Sequence, residues 1–335
     1  MATETATDRS PRSPSEPAIT IFAVRDGTRV PASDLAALPG LLADPSVVVW
    51  VDLVRPTADT AGSVREALGI HPLVVEDILE QNQRAKIEFV EDEIHIVLFA
   101  LAYQGALETW EIDLVLGERF LVSAHDGRWD PYATHHLRMG VEPILGRGAD
   151  FLLYALSDAL VDGYFPVIDQ LGDDVDALQD DVLTDASDWS LQKVFAVKRE
   201  LIELRRVISP AREVFNQLTD RQLPHLRPDH VVYFRDVYDH LLRVTDELDI
   251  YRELLGGTLD MYLTMVNNNL SVIMKRLTGV TVILAGLGAV AGIFGMSQAT
   301  PALAGQEGLG FWAITVGSIA TAGLAVVFLR RIDWI

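Results

Sequence analysis

The residues in this chain best suited to chemistry lie on one face of an uncharged segment near its end. Spacings of four and three from Met274 pick out Thr278, Thr281, Ala285, Gly288, Gly292 and Gly295. A helix gathers such positions into one stripe, here made of hydroxyls and bare backbone. Val280, Ile283, Leu284, Leu287, Val290, Ile293 and Phe294 cover the other faces. Two chemistries fit the stripe. Small residues let helices approach closely in lipid. The same residues facing water would line an ion path, with hydroxyl oxygens and backbone as its surface.

The elements that position this stripe are legible from charge. Residues 277–306 and 308–329 contain no charged side chain, Lys275 and Arg276 precede them, and Arg330 and Arg331 follow. Each run exceeds the ~20 apolar residues a bilayer requires. This predicts membrane helices at about 276–296 and 309–330 within a hairpin of residues 273–335. Both basic pairs flank the same ends of the hairpin, and the connection holds only Glu307. Positive charge marks the cytoplasmic side. The preceding domain and the C-terminus are therefore expected in the cytoplasm, and the 295–310 turn outside. Trp312 and Trp334 suit the two interfaces of the second span. Two spans cannot enclose a conduit, so a pore would require several copies around the stripe.

The 335 residues carry a formal net charge of −21. Residues 273–335 hold four basic and two acidic side chains, leaving 23 Lys and Arg against 46 Asp and Glu in the first 272. Such an excess repels phosphate and attracts cations, which argues against a nucleic-acid partner. With no cysteine in the chain, disulfides and thiolate metal sites are excluded. Residues 1–17, rich in Pro, Ser and Thr, read as a disordered tail without the apolar core of a signal peptide.

Residues 18–150 read as an α/β domain. Residues 19–24, 47–51, 86–91, 94–101, 111–116 and 119–124 are short apolar, β-branched runs, with a hairpin turn at Leu116-Gly117-Glu118-Arg119. Residues 60–68 and 72–80 look helical. From residue 151 to 272 the period changes to three and four, predicting long amphipathic helices over 151–183, 190–218 and 231–275. The third has no proline, with Gly256-Gly257 its only glycines, and is expected to run on into the first span.

Other constellations are weaker. None of the eight histidines pairs at i, i+4 spacing. His135 and His136 are adjacent and would point apart on a helix, which disfavours a metal site there. Asp173, Asp174, Asp176, Asp180, Asp181 and Asp185 form an acidic run that reads as solvated surface or as a cation-attracting face. No phosphate-cradling glycine loop or Ser/His/Asp order stands out, so an enzyme is not expected.

Several motifs in order carry a resemblance over nearly the whole chain. They are Trp50-Val51-Asp52-Leu53, His71-Pro72-Leu73-Val74-Val75-Glu76-Asp77, Gln83-Arg84-Ala85-Lys86 and Asp162-Gly163-Tyr164-Phe165. Phe234-Arg235-Asp236-Val237-Tyr238-Asp239-His240 and Gly292-Ile293-Phe294-Gly295-Met296 follow. The chain resembles the CorA-type divalent cation transporters. The resemblance implies an α+β membrane protein, a homopentamer with a funnel of α/β domain and long helices, and two C-terminal membrane helices in the inner cell membrane. It implies a pore lined by Ser271, Met274, Leu277, Thr278, Thr281, Ala285, Gly288 and Gly292, with Gly295, Met296 and Ser297 as selectivity loop. It implies regulatory divalent cations at Asp77 and Asp236 between subunits, Mg2+ as the default ion, and no organic cofactor.

The departures bear on selectivity. Ser297 stands where the family signature has Asn. Mg2+ surrenders water reluctantly, and a ring of short hydroxyls is wider than one of amides. Ala302 follows Thr300-Pro301 where the family often has an acid, and Ala285 and Gly286 stand where Met and Pro are common, leaving Met274 and Leu277 as the hydrophobic gate. Co2+, Ni2+ and Zn2+ thus stay open as cargo. A membrane-anchored cation sensor that no longer conducts is the rival reading.

Overall fold

The computed structural model describes residues 17–32, 34–220, 223–296 and 307–331. Ser297, Thr300, Pro301, Ala302, Trp334 and residues 1–16 of the expected tail lie outside the described residues. The chain divides into two compact units, one of residues 1–179 and 192–256, the other of residues 180–191 and 257–335.

The first unit is built on a seven-stranded sheet ordered β2-β1-β3-β7-β6-β5-β4. Its strands are β1 (Ala18–Arg25), β2 (Thr28–Val30), β3 (Val47–Val54), β4 (Lys86–Val90), β5 (Glu93–Tyr103), β6 (Leu107–Leu116) and β7 (Phe120–His125). All neighbours run antiparallel except β3 and β7, which are parallel, with Asp52 opposite Ser123. The six expected strands are present and the 116–119 turn joins β6 to β7. β2, only three residues long, was too short for its period to show.

β3 explains the Trp-Val-Asp-Leu motif. Strand alternation sends Val49, Val51 and Leu53 into one apolar core and Trp50 and Asp52 to the other face. That core also takes Leu38 of α1 (Leu38–Leu42), Val64 of α2 (Ala58–Leu68) and Val74 and Ile78 of α3 (Pro72–Glu80). On the other face the Trp50 indole donates to Ser123 Oγ at 2.9 Å, and Ser123 Oγ donates to Asp52 Oδ1 at 2.6 Å. The Tyr132 hydroxyl donates to Asp52 Oδ2 at 2.9 Å. Asp52 is fully buried, and these bonds replace the water it loses.

The expected helix over 151–183 is two. The short α4 (Glu142–Leu145) precedes α5 (Ala149–Asp162), which packs against β3, β5, β6 and β7. Gly163 interrupts it before α6 (Tyr164–Thr184), whose Tyr164 hydroxyl donates to Phe99 O at 2.8 Å. The stretch Ala149–Thr184 is long and apolar enough to cross a membrane, but 72% of its apolar window is buried. It is core. α7 (Asp188–Asp220) carries Pro210 inside it, and α8 (Val231–Met296) is one helix of 66 residues, as its lack of breakers predicts. Asp249 of α8 pairs with Arg205 of α7 at 2.6 Å. Gly172 of α6 is required by close approach, because a Cβ there would strike the Tyr251 ring of α8.

The second unit contains the C-terminal part of α8 and α9 (Glu307–Arg331). The expected spans fall inside these two helices. The candidate span in α8 is long and apolar, with only 6% of its apolar window buried.

Candidate functional site

Every residue of the predicted stripe from Ser271 to Gly292 is exposed on α8, including Met274 at 54% and Leu277 at 59%. α9 takes the other side of α8: Ile283, Leu287 and Val290 line an apolar groove with Ser318, Ala322 and Ala325. Among the described residues nothing covers the small-residue face, and Val280, Leu284 and Ile293 are exposed beside it. Ser271 Oγ donates to Asn267 O at 2.9 Å, Thr278 Oγ1 to Met274 O at 2.8 Å and Thr281 Oγ1 to Leu277 O at 2.8 Å. Each hydroxyl proton is spent on the preceding turn. What remains outward is an oxygen acceptor, which suits a cation or the protons of its hydration water.

Asp77 sits on α3, where His71 caps the start by accepting from Leu73 N at 3.2 Å and Pro72 occupies the first turn. The opposing strands supply its partners. Lys86 Nζ lies 2.6 Å from Asp77 Oδ2 and 2.9 Å from Glu88 Oε2, and Gln83 Nε2 donates to Asp77 Oδ1 at 3.2 Å. Behind them His95 Nε2 and Asp113 Oδ1 meet at 2.8 Å with both side chains fully buried. Glu111 accepts from Gln83 N at 3.0 Å. Burial, then the nearby Asp113 charge, pushes the Glu111 carboxyl up to about 7. Burial also raises Asp113, against its bond to His95. Burial works to lower the Lys86 ammonium, but Asp77 and Glu88 outweigh it and hold its pKa above the usual value. The ammonium stands between Asp77 and Glu88, where a metal would bridge them.

The chain matches the model of the CorA-like Mg2+ transporter protein family over residues 45–331. It belongs to that family. It is 34% identical over 299 residues to the cobalt/magnesium transport protein CorA of Thermotoga maritima, covering 87% of this chain and 85% of that one. The putative metal ion transporter YfjQ of Bacillus subtilis is 30% identical over 249 residues, 74% of this chain and 78% of that protein. The complete structure of the CorA magnesium transporter from Methanocaldococcus jannaschii shares the fold, with a TM-score of 0.78 at 22% identity over 94% of this chain and 98% of that one. CorA family members are transporters and not enzymes.

Within this CorA-family chain Asp236 is exposed near the start of α8. The partners of Asp77 are Lys86 and Gln83. Asp236 lies instead near Asp158 and Asp162: after burial, these three carboxylates are the charges that raise the Tyr154 hydroxyl. His240 Nδ1 is 3.4 Å from Asp162 Oδ1. Sequence reasoning missed Glu88, His95, Glu111, Asp113 and Asp158. Gln83 and Lys86 were visible as part of a motif, but only the packing of α3 on β4 and β5 shows that they hold Asp77. Asp174, read as one of an acidic surface run, accepts from the Tyr103 hydroxyl at 2.5 Å.

Proposed function

We propose that the chain forms a homopentameric, channel-like transporter of divalent metal cations in the cell membrane, with the α/β domain and the C-terminus in the cytoplasm. The observation that carries this reading is the division of faces on α8. Ile283, Leu287 and Val290 face α9, while the hydroxyl and glycine positions from Ser271 to Gly292 are exposed together with Val280, Leu284 and Ile293, in a chain that belongs to the CorA family. Five copies would close that side into a pore. Cations would enter past Gly295, Met296 and Ser297, pass the acceptor oxygens of Thr281 and Thr278, and meet an apolar constriction at Leu277 and Met274.

Mg2+ is the default cargo, in keeping with the cobalt/magnesium transport protein of Thermotoga maritima. The Ser297 ring leaves Co2+, Ni2+ and Zn2+ as competitors. Cytoplasmic cations at Asp77 and Asp236 of neighbouring subunits would bias the pore closed. For Asp77 this requires a divalent ion to compete with the Lys86 ammonium, which makes occupancy dependent on cation concentration.

Reconstitution tests the proposal. Purified protein in liposomes, with low internal metal, should pass Mg2+ or another divalent cation down its gradient. Absence of flux for Mg2+, Co2+, Ni2+ and Zn2+ alike would overturn transport in favour of a non-conducting sensor.

A further inference from the structure

Adjacent histidines on a helix point apart, and that expectation argued against a metal site at His135 and His136. The structure removes its premise. Residues 135–139 form turns between the 3-10 helix Pro131–Ala133 and α4, and the two imidazoles lie together with ring centroids 3.8 Å apart. Both face one carboxylate. His136 Nε2 is 2.7 Å and His135 Nε2 3.8 Å from Asp158 Oδ2 on α5.

Asp158 supplies the independent observation. Its side chain is only 6% exposed, and its Oδ1 has no hydrogen-bond partner among the described residues. A buried carboxylate oxygen without a donor is costly unless something positive completes it. We propose that His135, His136 and Asp158 form a cytoplasmic site for a borderline transition ion, Zn2+, Co2+ or Ni2+, separate from the conduction face on α8.

The donor chemistry selects the ion class. Two imidazole nitrogens and one carboxylate oxygen suit these ions, whereas Mg2+ prefers an all-oxygen octahedron and retains its waters. Donors about 2 Å from a tetrahedral ion stand roughly 3.3 Å from one another. The observed 2.7 and 3.8 Å bracket that spacing. A second carboxylate stands nearby: Asp162 Oδ2 lies 3.9 Å from His135 Nδ1, beyond hydrogen-bond distance. The Tyr154 ring packs edge-on against His136 at 5.3 Å. His135 is half exposed, so an ion can enter from solvent and bound water can fill a remaining position.

Two further His-carboxylate groups converge among the described residues: Asp77, Glu88 and His95, and Asp158, Asp162 and His240. In the first, Lys86 already occupies the space between the two carboxylates. The second shares Asp158 with the proposed site and offers one imidazole where that site offers two.

The test reads metal binding and does not depend on transport. Full-length protein in detergent micelles is stripped with chelator and titrated with Co2+ and Zn2+ in a large excess of Mg2+. One site per chain is expected to show a Co2+ ligand-field spectrum with nitrogen ligands, reversed by Zn2+ and not by Mg2+. His135→Ala, at an exposed position that should leave the thermal melt unchanged, is expected to weaken Zn2+ at least about tenfold, the lower bound for losing even an outer-shell partner. Asp158→Asn should do the same. A wild-type protein without the nitrogen-ligand signature would overturn the site. So would affinity unchanged in both variants, or displacement of Zn2+ by Mg2+.

Discussion

Glu111 shows how a single side chain ties the pH response to the region around Asp77. Its carboxyl is held up to about 7 by burial and by the Asp113 charge, against 4.5 in an unfolded chain. The folded protein therefore binds more protons between those values. This contribution to stability is complete below about 4.5 and is lost as pH rises through 7. Glu111→Gln mimics the protonated form and can still accept from Gln83 N. It should raise the melting temperature at pH 8 by the equivalent of about 1–3 kcal/mol and leave it unchanged near pH 4.5; an equal effect at both values would show that Glu111 does not titrate in this window. No sequence rule marked Glu111 or Asp113 as buried, because alternation on β6 sets both opposite Ile112 and Leu114, on the face a half-buried strand turns to water. The same limit hid Asp158, an acid among the apolar residues of α5. Asp77 was legible through its motif, yet its neutralisation by Lys86 depends on β4 pairing with β5. His135 and His136 were misread because their backbone was taken as helical, and turn residues do not obey the helical period.

Among the elements, period and breaker residues were sufficient wherever a segment was long. The strands β1, β3, β5, β6 and β7 and the uninterrupted α8 follow from β-branched runs and from the absence of proline between Val231 and Met296. Local signals failed at the joints. Gly163 separates α5 from α6 although the apolar period runs through it, and Pro210 lies inside α7 although it forfeits a helical hydrogen bond. The glycine pair in α8 is the clearest departure from helix propensity. Gly256 and Gly257 are both exposed, and a Cβ at either would meet nothing within 4 Å. Alanine there should gain up to about 1 kcal/mol each from propensity alone. The double variant Gly256→Ala, Gly257→Ala is thus expected to raise the melting temperature. If α8 bends at this pair when the pore opens, the same variant lowers cation flux in liposomes. Greater stability with unchanged flux would place the moving joint elsewhere.

For the assembled molecule, the decisive matter is what covers the exposed stripe on α8. Lipid is a poor partner for a face of glycines and hydroxyl oxygens, since it offers neither close packing nor donors and acceptors. α9 already occupies the Ile283 side. Copies of the chain arranged around the stripe would satisfy it with water and with one another. The two coverings differ in access to a charged reagent. The chain has no cysteine, so one introduced thiol reports a single position without background. Thr281→Cys on the stripe and Ile283→Cys against α9 are two residues apart and at similar membrane depth. A permanently charged methanethiosulfonate reagent cannot cross lipid but can enter a water-filled path. It is expected to block divalent-cation flux through Thr281→Cys and to leave Ile283→Cys unaffected. Excess Mg2+ should slow the block if ion and reagent share the path. Equal protection of both thiols in flux-competent protein would mean that the stripe is a packing surface and that cations cross elsewhere.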